Sequence, residues 1–588
     1  MPASTKAAMT TPSPPASRES ASPALAPTPP TPTVAPSPSP ASRWAPWGAA
    51  LGGLAWFLWL GGGRAIPPTR IDWMIREDWA ASGFGWLFYR NAPWGLPLTS
   101  SPNQLHPHGT SVALTDGNPL LAVLFKPFNA LLPADFQYHG LWLALGFALM
   151  GWFGAKLVSV VSSRPTHQLL GGLLLALAPP MAARLGHLTL CSHWLLVAMM
   201  WLQLRDTPDA HAAKRSLLWA AALNAVGAGT HPYLVAMLAP LAMALTVRLA
   251  LGRVISWGRA LLASVGIVIL DVLIFALFGY FVGSNLGAEG FGQFSADLTT
   301  LFNPTDWSRL LPSLPVARRQ GEGFGYVGAG ALLLVVLSVV GAALRFRALR
   351  DLPWRRGLPF AVAVLLLAIY ALSSRVTWTG RLVVDLGGLY EPFSRLTSAF
   401  RASGRFIWPL CYAVMGGALL LWLRQWRERA WVGTAVLALV VAVQAYDVRQ
   451  DKSELRRRPE GFRRLQAPEW AELKGHYQHL AIFPPQVQWV CPYNEPLVNA
   501  TGYMAYRLGL TFNSGYVTRT PPSIAEECNA TMRPGGVDGD TVYVVVRQQV
   551  GAFLRAGARC GMLEGLPVCV SGQRNDAFAQ ALTRQPLR

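Results

Sequence analysis

"WGAALGGLAWFLWLGGG" (47–63) is followed almost at once by "RIDWMIREDWAASGFGWLFYRNAPW" (70–94). The first stretch is apolar enough to begin a bilayer crossing, which takes about 20 such residues in a helix. Its exit is crowded with two aspartates, a glutamate, three arginines and four tryptophans. A plain tether has no use for that set. A reaction centre at a membrane surface does.

Composition extends the reading to the whole chain. Of 588 residues, 52% are hydrophobic and 14% charged, and mean hydropathy is +0.30; soluble chains carry about 25% charged residues. Further apolar runs follow near 139–160, 168–184, 188–204, 216–231, 233–251, 259–283, 326–344, 358–374, 406–423 and 430–447. With 45–62 they make about 11 spans, each near the length a bilayer requires. The fold class predicted is an all-α polytopic membrane bundle carrying a C-terminal α/β domain.

The net charge of +20 does not point to nucleic acid, because no basic face interleaves with aromatics. The cations sit in short loops: Arg164; Arg205, Lys214 and Arg215; Arg253; "RFRALRDLPWRR" (345–356); "RQWRER" (424–429). By the positive-inside rule these loops face the cytoplasm. Residues 1–43, rich in Pro, Ser, Thr and Ala, then form a disordered cytoplasmic tail. Residues 44–448 form the transmembrane domain, with outer segments 64–138, 284–325 and 375–405, and 449–588 an extracytoplasmic domain. There "HLAIFPP" (479–485) and "TVYVVVRQ" (541–548) read as strands and "PEWAELKGHY" (468–477) as an amphipathic helix.

Cys191 and Cys411 fall in apolar runs and read as inert buried thiols. Cys491, Cys528, Cys560 and Cys569 match no zinc spacing, and an even number outside the cytosol reads as disulfides. "CGMLEGLPVC" (560–569) reads as two strands around "EGLP". That sets Cys560 against Cys569 and leaves Cys491 for Cys528.

Candidate chemistry gathers on the outer segments. Asp72, Glu77, Asp78, Asp116 and Asp135 are its first acids; each is either a solvated loop charge or a base for a hydroxyl proton. Asp72 and Asp78 are six apart and do not share a helix face. Asp116, before "GNP", caps a helix or meets substrate or metal. His106 and His108 flank a proline at a spacing too weak to name a metal site. "ARLGH" (183–187), "GTHPY" (229–233) and "FRASGRFIWP" (400–409) bring Arg184, His187, His231, Arg401 and Arg405 to span ends. Such cations either snorkel or hold a lipid phosphate. Trp79 and Trp86 have faces suited to stacking on a sugar. Asp271, in "GIVILDVLIFALFG" (266–279), is an intramembrane carboxylate, either hydrogen-bonded within the bundle or part of a proton relay.

The stretches "DWAASGFGWLFYRNAPWGLPL" (78–98), "GTSVALTDGNPLLAVLFKPF" (109–128), "LPADFQYHGLWL" (132–143), "GHLTLCSHWLL" (186–196), "THPYL" (230–234) and "FRASGRFIWP" resemble a bacterial multi-pass family usually placed in the GT-C superfamily of membrane glycosyltransferases. The resemblance covers about 45–448, with a weaker echo beyond. It implies a sugar donor linked to polyprenyl phosphate, and an extracytoplasmic glycan, lipid or protein acceptor. It implies Asp78 as first and Asp72 as second choice of catalytic base, with donor phosphate held by the basic residues above. It implies residence in the bacterial inner membrane, leaves a divalent cation open as cofactor, and involves no nucleic acid. Where the close family places a histidine-containing polar pair after the aspartate, this chain has "AAS" (80–82). Two rivals stand beside the enzyme: a lipid-linked sugar transporter, for which Asp271 speaks, and a non-catalytic assembly protein for cell-envelope polysaccharide, for which "AAS" speaks.

Overall fold

Each apolar run carries a helix, because Leu, Ala and Val runs with few breakers satisfy their backbone only internally in lipid. The computed structural model describes residues 11, 40–282, 290–344, 354–457 and 462–587. All but four residues of the expected N-terminal tail lie outside the described residues or stand alone; from Pro40 the chain is already helical. In chain order the helices that build the bundle and the site are α1 (Pro40–Trp59), α2 (Glu77–Asn91), α3 (Pro119–Phe125), α4 (His139–Val158), α5 (Pro165–Ala176), α6 (Pro179–Ala182) and α7 (Trp194–Leu204). Then come α8 (Ala210–Thr230), α9 (Pro232–Leu251), α10 (Trp257–Leu277), α11 (Ala329–Leu344), α12 (Trp354–Leu372), α13 (Trp408–Gln425), α14 (Ala430–Asp447) and α15 (Glu495–Leu508).

The expected count of about 11 spans is not confirmed. Among the described residues five helical segments are long and apolar enough to cross a membrane: His139–Val158, Pro232–Leu251, Trp257–Leu277, Ser403–Gln425 and Ala430–Asp447. Others are apolar but short, Ala329–Leu344 and Leu188–Leu204 among them. The cause is plain in the run 168–184. Pro179 and Pro180 cannot continue α5, whose last residue is Ala176. Beyond the one-turn α6 the chain regains an α-helix only at Trp194, so Arg184–His193 is coil and 3-10 turn.

α1, α4 and α5 pack backbone to backbone through small residues. A Cβ at Gly151 would lie 2.1 Å from the Ala49 carbonyl oxygen, so only glycine fits that crossing. α10 is the opposite case. Leu261, Leu262, Ile269 and Leu273 are all exposed on it, a lipid-facing wall.

Short strands β1 (Ser100–Ser101) and β2 (Thr110–Ser111) pair antiparallel, as do β3 (Arg375–Trp378) and β4 (Arg381–Asp385). The C-terminal part holds β5 (His479–Phe483), β6 (Thr511–Phe512), β7 (Thr541–Val545), β8 (Ala558–Leu563) and β9 (Leu566–Ser571). They form one sheet in the order β6-β5-β7-β9-β8. β6, β5 and β7 are parallel, while β9 is antiparallel to both β7 and β8. "PEWAEL" is a 3-10 turn, Pro468–Leu473, rather than the amphipathic α-helix expected. Cys560 and Cys569 are register partners across the β8–β9 hairpin and are bonded, as are Cys491 and Cys528.

This domain is sewn to the first long loop. Glu495, in the first turn of α15, accepts a 2.6 Å hydrogen bond from the Glu77 amide that opens α2. Asp72 and Asp135 pair with Arg464, at 3.0 and 3.7 Å. His106 stacks on His479, and His108 lies 2.7 Å from Glu527. These two histidines serve the interface.

Candidate active site

Four segments remote in sequence converge at one end of the bundle. They are the first turn of α2, the coil between α6 and α7, and the turns Gln320–Gly323 and Ser403–Ile407. The last two touch backbone to backbone, since a Cβ on Gly404 would meet the Gly323 Cα at 2.6 Å. That close approach fixes Glu322 beside Arg405.

Glu322 is the hub. Its Oε2 accepts from Arg184 Nη1 at 2.9 Å and from Arg405 Nε at 2.8 Å. Arg184 also donates Nη2 to the Gly321 carbonyl. Burial pushes the Glu322 carboxyl up, but Arg405, Arg184 and His187 outweigh it and hold the group well below the usual carboxylate range. His187 Nε2 stands 3.8 Å from Glu322 Oε1 and 4.0 Å from Asp78 Oδ2. It therefore bridges the hub to the acid of the opening stretch. The Asp78 side chain is 42% exposed, against 21% for Glu322 and 8% for Arg184. Asp78 is the carboxylate a substrate can reach.

Arg405 is anchored and largely buried, with part of its fork unpaired. Its guanidinium lies 4.7 Å over the Tyr233 ring, and Nε is the atom given to Glu322. Neither Nη group makes a hydrogen bond to the described residues, which leaves the outward edge of the fork for an incoming anion.

A second acid lies behind. Asp116 accepts from the Thr189 hydroxyl, and His231 Nε2 is 3.9 Å away. The His231 Nδ1 accepts from the Tyr233 amide at 3.2 Å, so the imidazole proton sits on Nε2, towards Asp116. Burial pushes the Asp116 carboxyl up to about 7, against the opposing pull of His187 and Arg405. The helix cap expected of Asp116 belongs to Asn118, whose side chain accepts from the Leu121 amide at 3.3 Å.

The C-terminal domain closes the site. Thr518 donates both its amide and its hydroxyl to the Leu114 carbonyl at 2.9 Å, and Arg519 donates to the Tyr280 carbonyl at 3.1 Å. Tyr516, between these anchors and Trp489, faces Asp78. Burial and then the Asp78 charge push its phenol up to about 12.

Among the expected residues, Asp78, Arg184, His187, Arg405, Asp116 and His231 come together. Asp72 does not: it is held by Arg464 at the domain interface. Arg401 lies exposed, 5.5 Å over the Phe294 ring, outside the Glu322 pairing. Trp79 and Trp86 correct a further expectation. Both are buried, 4% and 0% exposed, and their indoles donate to the Leu185 and Phe136 carbonyls at 2.7 Å. They are core, with no face left for a sugar. Glu322, Thr189 and Tyr516 are additions. "QGEG" (320–323), an acid flanked by glycines in an outer segment, was the available signal for the first; nothing marked Tyr516.

Among the described residues no group of three or more His, Cys, Asp or Glu side chains is arranged for a metal ion. Glu322 is engaged by two guanidiniums.

One family model, "Domain of unknown function (DUF6311)", matches residues 50–449, and a second, "DUF6311 C-terminal domain", matches residues 469–571. The chain belongs to the DUF6311 family. No curated protein matches this DUF6311 chain. Among solved structures, it is similar to the crystal structure of the Archaeoglobus fulgidus oligosaccharyltransferase in complex with Zn and sulfate, at 13% identity and a TM-score of 0.29. That match covers 78% of this chain and 63% of the other. The DUF6311 chain thus spans less than two thirds of that protein's length, and its activity has to be argued from its own residues.

Proposed function

We propose that this chain is a GT-C-like membrane glycosyltransferase that moves a sugar from a polyprenyl-phosphate carrier to a hydroxyl acceptor. The acceptor oxygen attacks the anomeric carbon and its proton passes to Asp78. The bond from that carbon to the phosphate oxygen breaks, and the leaving phosphate is stabilised by the open edge of Arg405, with Arg184 behind it. His187 positions Asp78 against the cationic hub. No step runs through a metal. The observation that carries the reading is Arg405, pinned through Nε by Glu322 with both Nη groups unengaged, at a hub that His187 links to the exposed acid Asp78. A phosphate-holding cation and a base on one face are what glycosyl transfer from a phosphate donor needs.

The reading carries with it residence in the bacterial inner membrane, with the C-terminal domain on the far side of the cytoplasm. Mass spectrometry of lipid co-purifying with the full-length protein tests the donor class. A polyprenyl-phosphate sugar, lost in Arg405→Ala, supports the proposal; phospholipid alone in both proteins opposes it. The transporter reading has one observation in its favour: both carboxylate oxygens of Asp271, inside α10, are buried without a hydrogen-bond partner among the described residues. A single such acid lacks the series a proton relay requires.

A further inference from the structure

At the arginine-rich end of the bundle, away from Asp78, α8 and α10 enclose a cavity of about 600 Å³. Leu217 and Leu218 of α8 and Ile267 of α10 line it on the apolar side, and His211, Lys214 and Arg259 line it near the helix N-termini. α10 beside it is the lipid-facing helix already described, and Trp257, 58% exposed, opens that helix level with Arg259, where membrane proteins place interfacial aromatics. Lys214 and Arg259 are exposed, and neither side chain makes an ion pair or hydrogen bond with the described residues. Asp209, at the start of α8, is engaged in capping that helix, accepting from the Ala212 amide at 2.7 Å.

An apolar trough open to the bilayer, ending in two unpaired cations at the headgroup level, has the chemistry of one ligand class. We propose that this groove binds an anionic phospholipid, its acyl chain along Leu217, Leu218 and Ile267 and its phosphodiester and headgroup on Lys214 and Arg259. Charge complementarity selects the occupant. A zwitterionic lipid satisfies the apolar wall but returns a cation to Lys214 and Arg259. The N-terminus of α10, capped by the neutral Ser256, adds partial positive charge. The site is separate from the proposed transfer centre and stands whether or not that reading holds.

The test uses delipidated full-length protein offered vesicles of phosphatidylcholine alone or mixed with phosphatidylglycerol. Retained lipid is counted by native mass spectrometry. Wild type should retain one phosphatidylglycerol in preference to phosphatidylcholine by about thirtyfold, as expected for two surface cations. Lys214→Ala with Arg259→Ala should abolish the preference, and Lys214→Arg with Arg259→Lys should keep it. Both pairs are exposed and leave the fold intact, checked by unchanged elution on size exclusion. Leu217→Trp, which fills the trough, should expel the lipid whatever its headgroup. Equal retention of the two lipids by wild type, or an undiminished phosphatidylglycerol preference in the double alanine variant, overturns the proposal.

Discussion

Two carboxyl groups near the site respond to folding in opposite directions, and pH separates them. Burial raises Asp116 from an ordinary 3.8 to about 7. Between those values the folded state holds more protons than the unfolded one, so this group makes stability fall as pH rises from about 4 to about 7. Glu322 is depressed, so its contribution is present above its ordinary 4.5 and is lost as pH falls through its folded value. Thermal unfolding of the purified protein across this range should show a shallower decline towards pH 7 in Asp116→Asn than in wild type. Identical slopes would remove Asp116 from the account. Glu322→Ala strands Arg184 and Arg405 without their counter-charge and should cost about 3 kcal/mol, as removal of one partner of a buried pair does; an unchanged melting temperature would contradict the hub. Neither effect was legible in the sequence. Asp78, Arg184 and Arg405 stood at span ends and drew notice, whereas Glu322 is a lone acid in a glycine-rich turn 138 residues from Arg184. Its meaning comes only from the contact of Gly323 with Gly404.

Helices were legible because their signal is local. Apolar runs in lipid have only one way to satisfy their backbone, so each run carries a helix. What the runs did not reveal is where helices stop. The pair Pro179–Pro180 cuts one run short, and the released coil carries Arg184, His187 and Thr189 into the site. Tryptophan density misled for a related reason. Composition cannot distinguish an interfacial indole from one that is buried and donates its N–H to a carbonyl, as Trp79 and Trp86 do. The hairpin of β8 and β9 is the opposite case. Two short strands around "EGLP" set Cys560 opposite Cys569, and the structure joins them. A loop closed over 9 residues should contribute about 2–3 kcal/mol through restriction of the unfolded chain. Replacing both cysteines with serine should lower the melting temperature accordingly, and peptide mapping under non-reducing conditions should recover the 560–569 bridge; four free thiols would refute it.

At the scale of the molecule, the account requires that the Asp78 face and the C-terminal domain lie on one side of the membrane, and the arginine-rich loops on the other. Reporter fusions after 210, 350 and 427 should score cytoplasmic, and fusions near 300, 390 and 500 external. A cytoplasmic score at 500 would be incompatible with both the disulfides and the shared site. The domain is required there, since Glu495 and Thr518 hold the segment that carries Asp78 and Leu114, and Arg519 holds the end of α10 at Tyr280. The activity proposed for this junction is glycosyl transfer with Asp78 as base. Its most direct measurement is transfer of radiolabel from a polyprenyl-phosphate sugar by membranes containing wild type, Asp78→Asn, Asp72→Asn or Arg405→Ala at equal expression. The account predicts a loss of about 10²–10⁴ in rate for Asp78→Asn with donor binding retained, a milder effect for Asp72→Asn, and weakened donor binding for Arg405→Ala. Equal transfer by wild type and Asp78→Asn would contradict it.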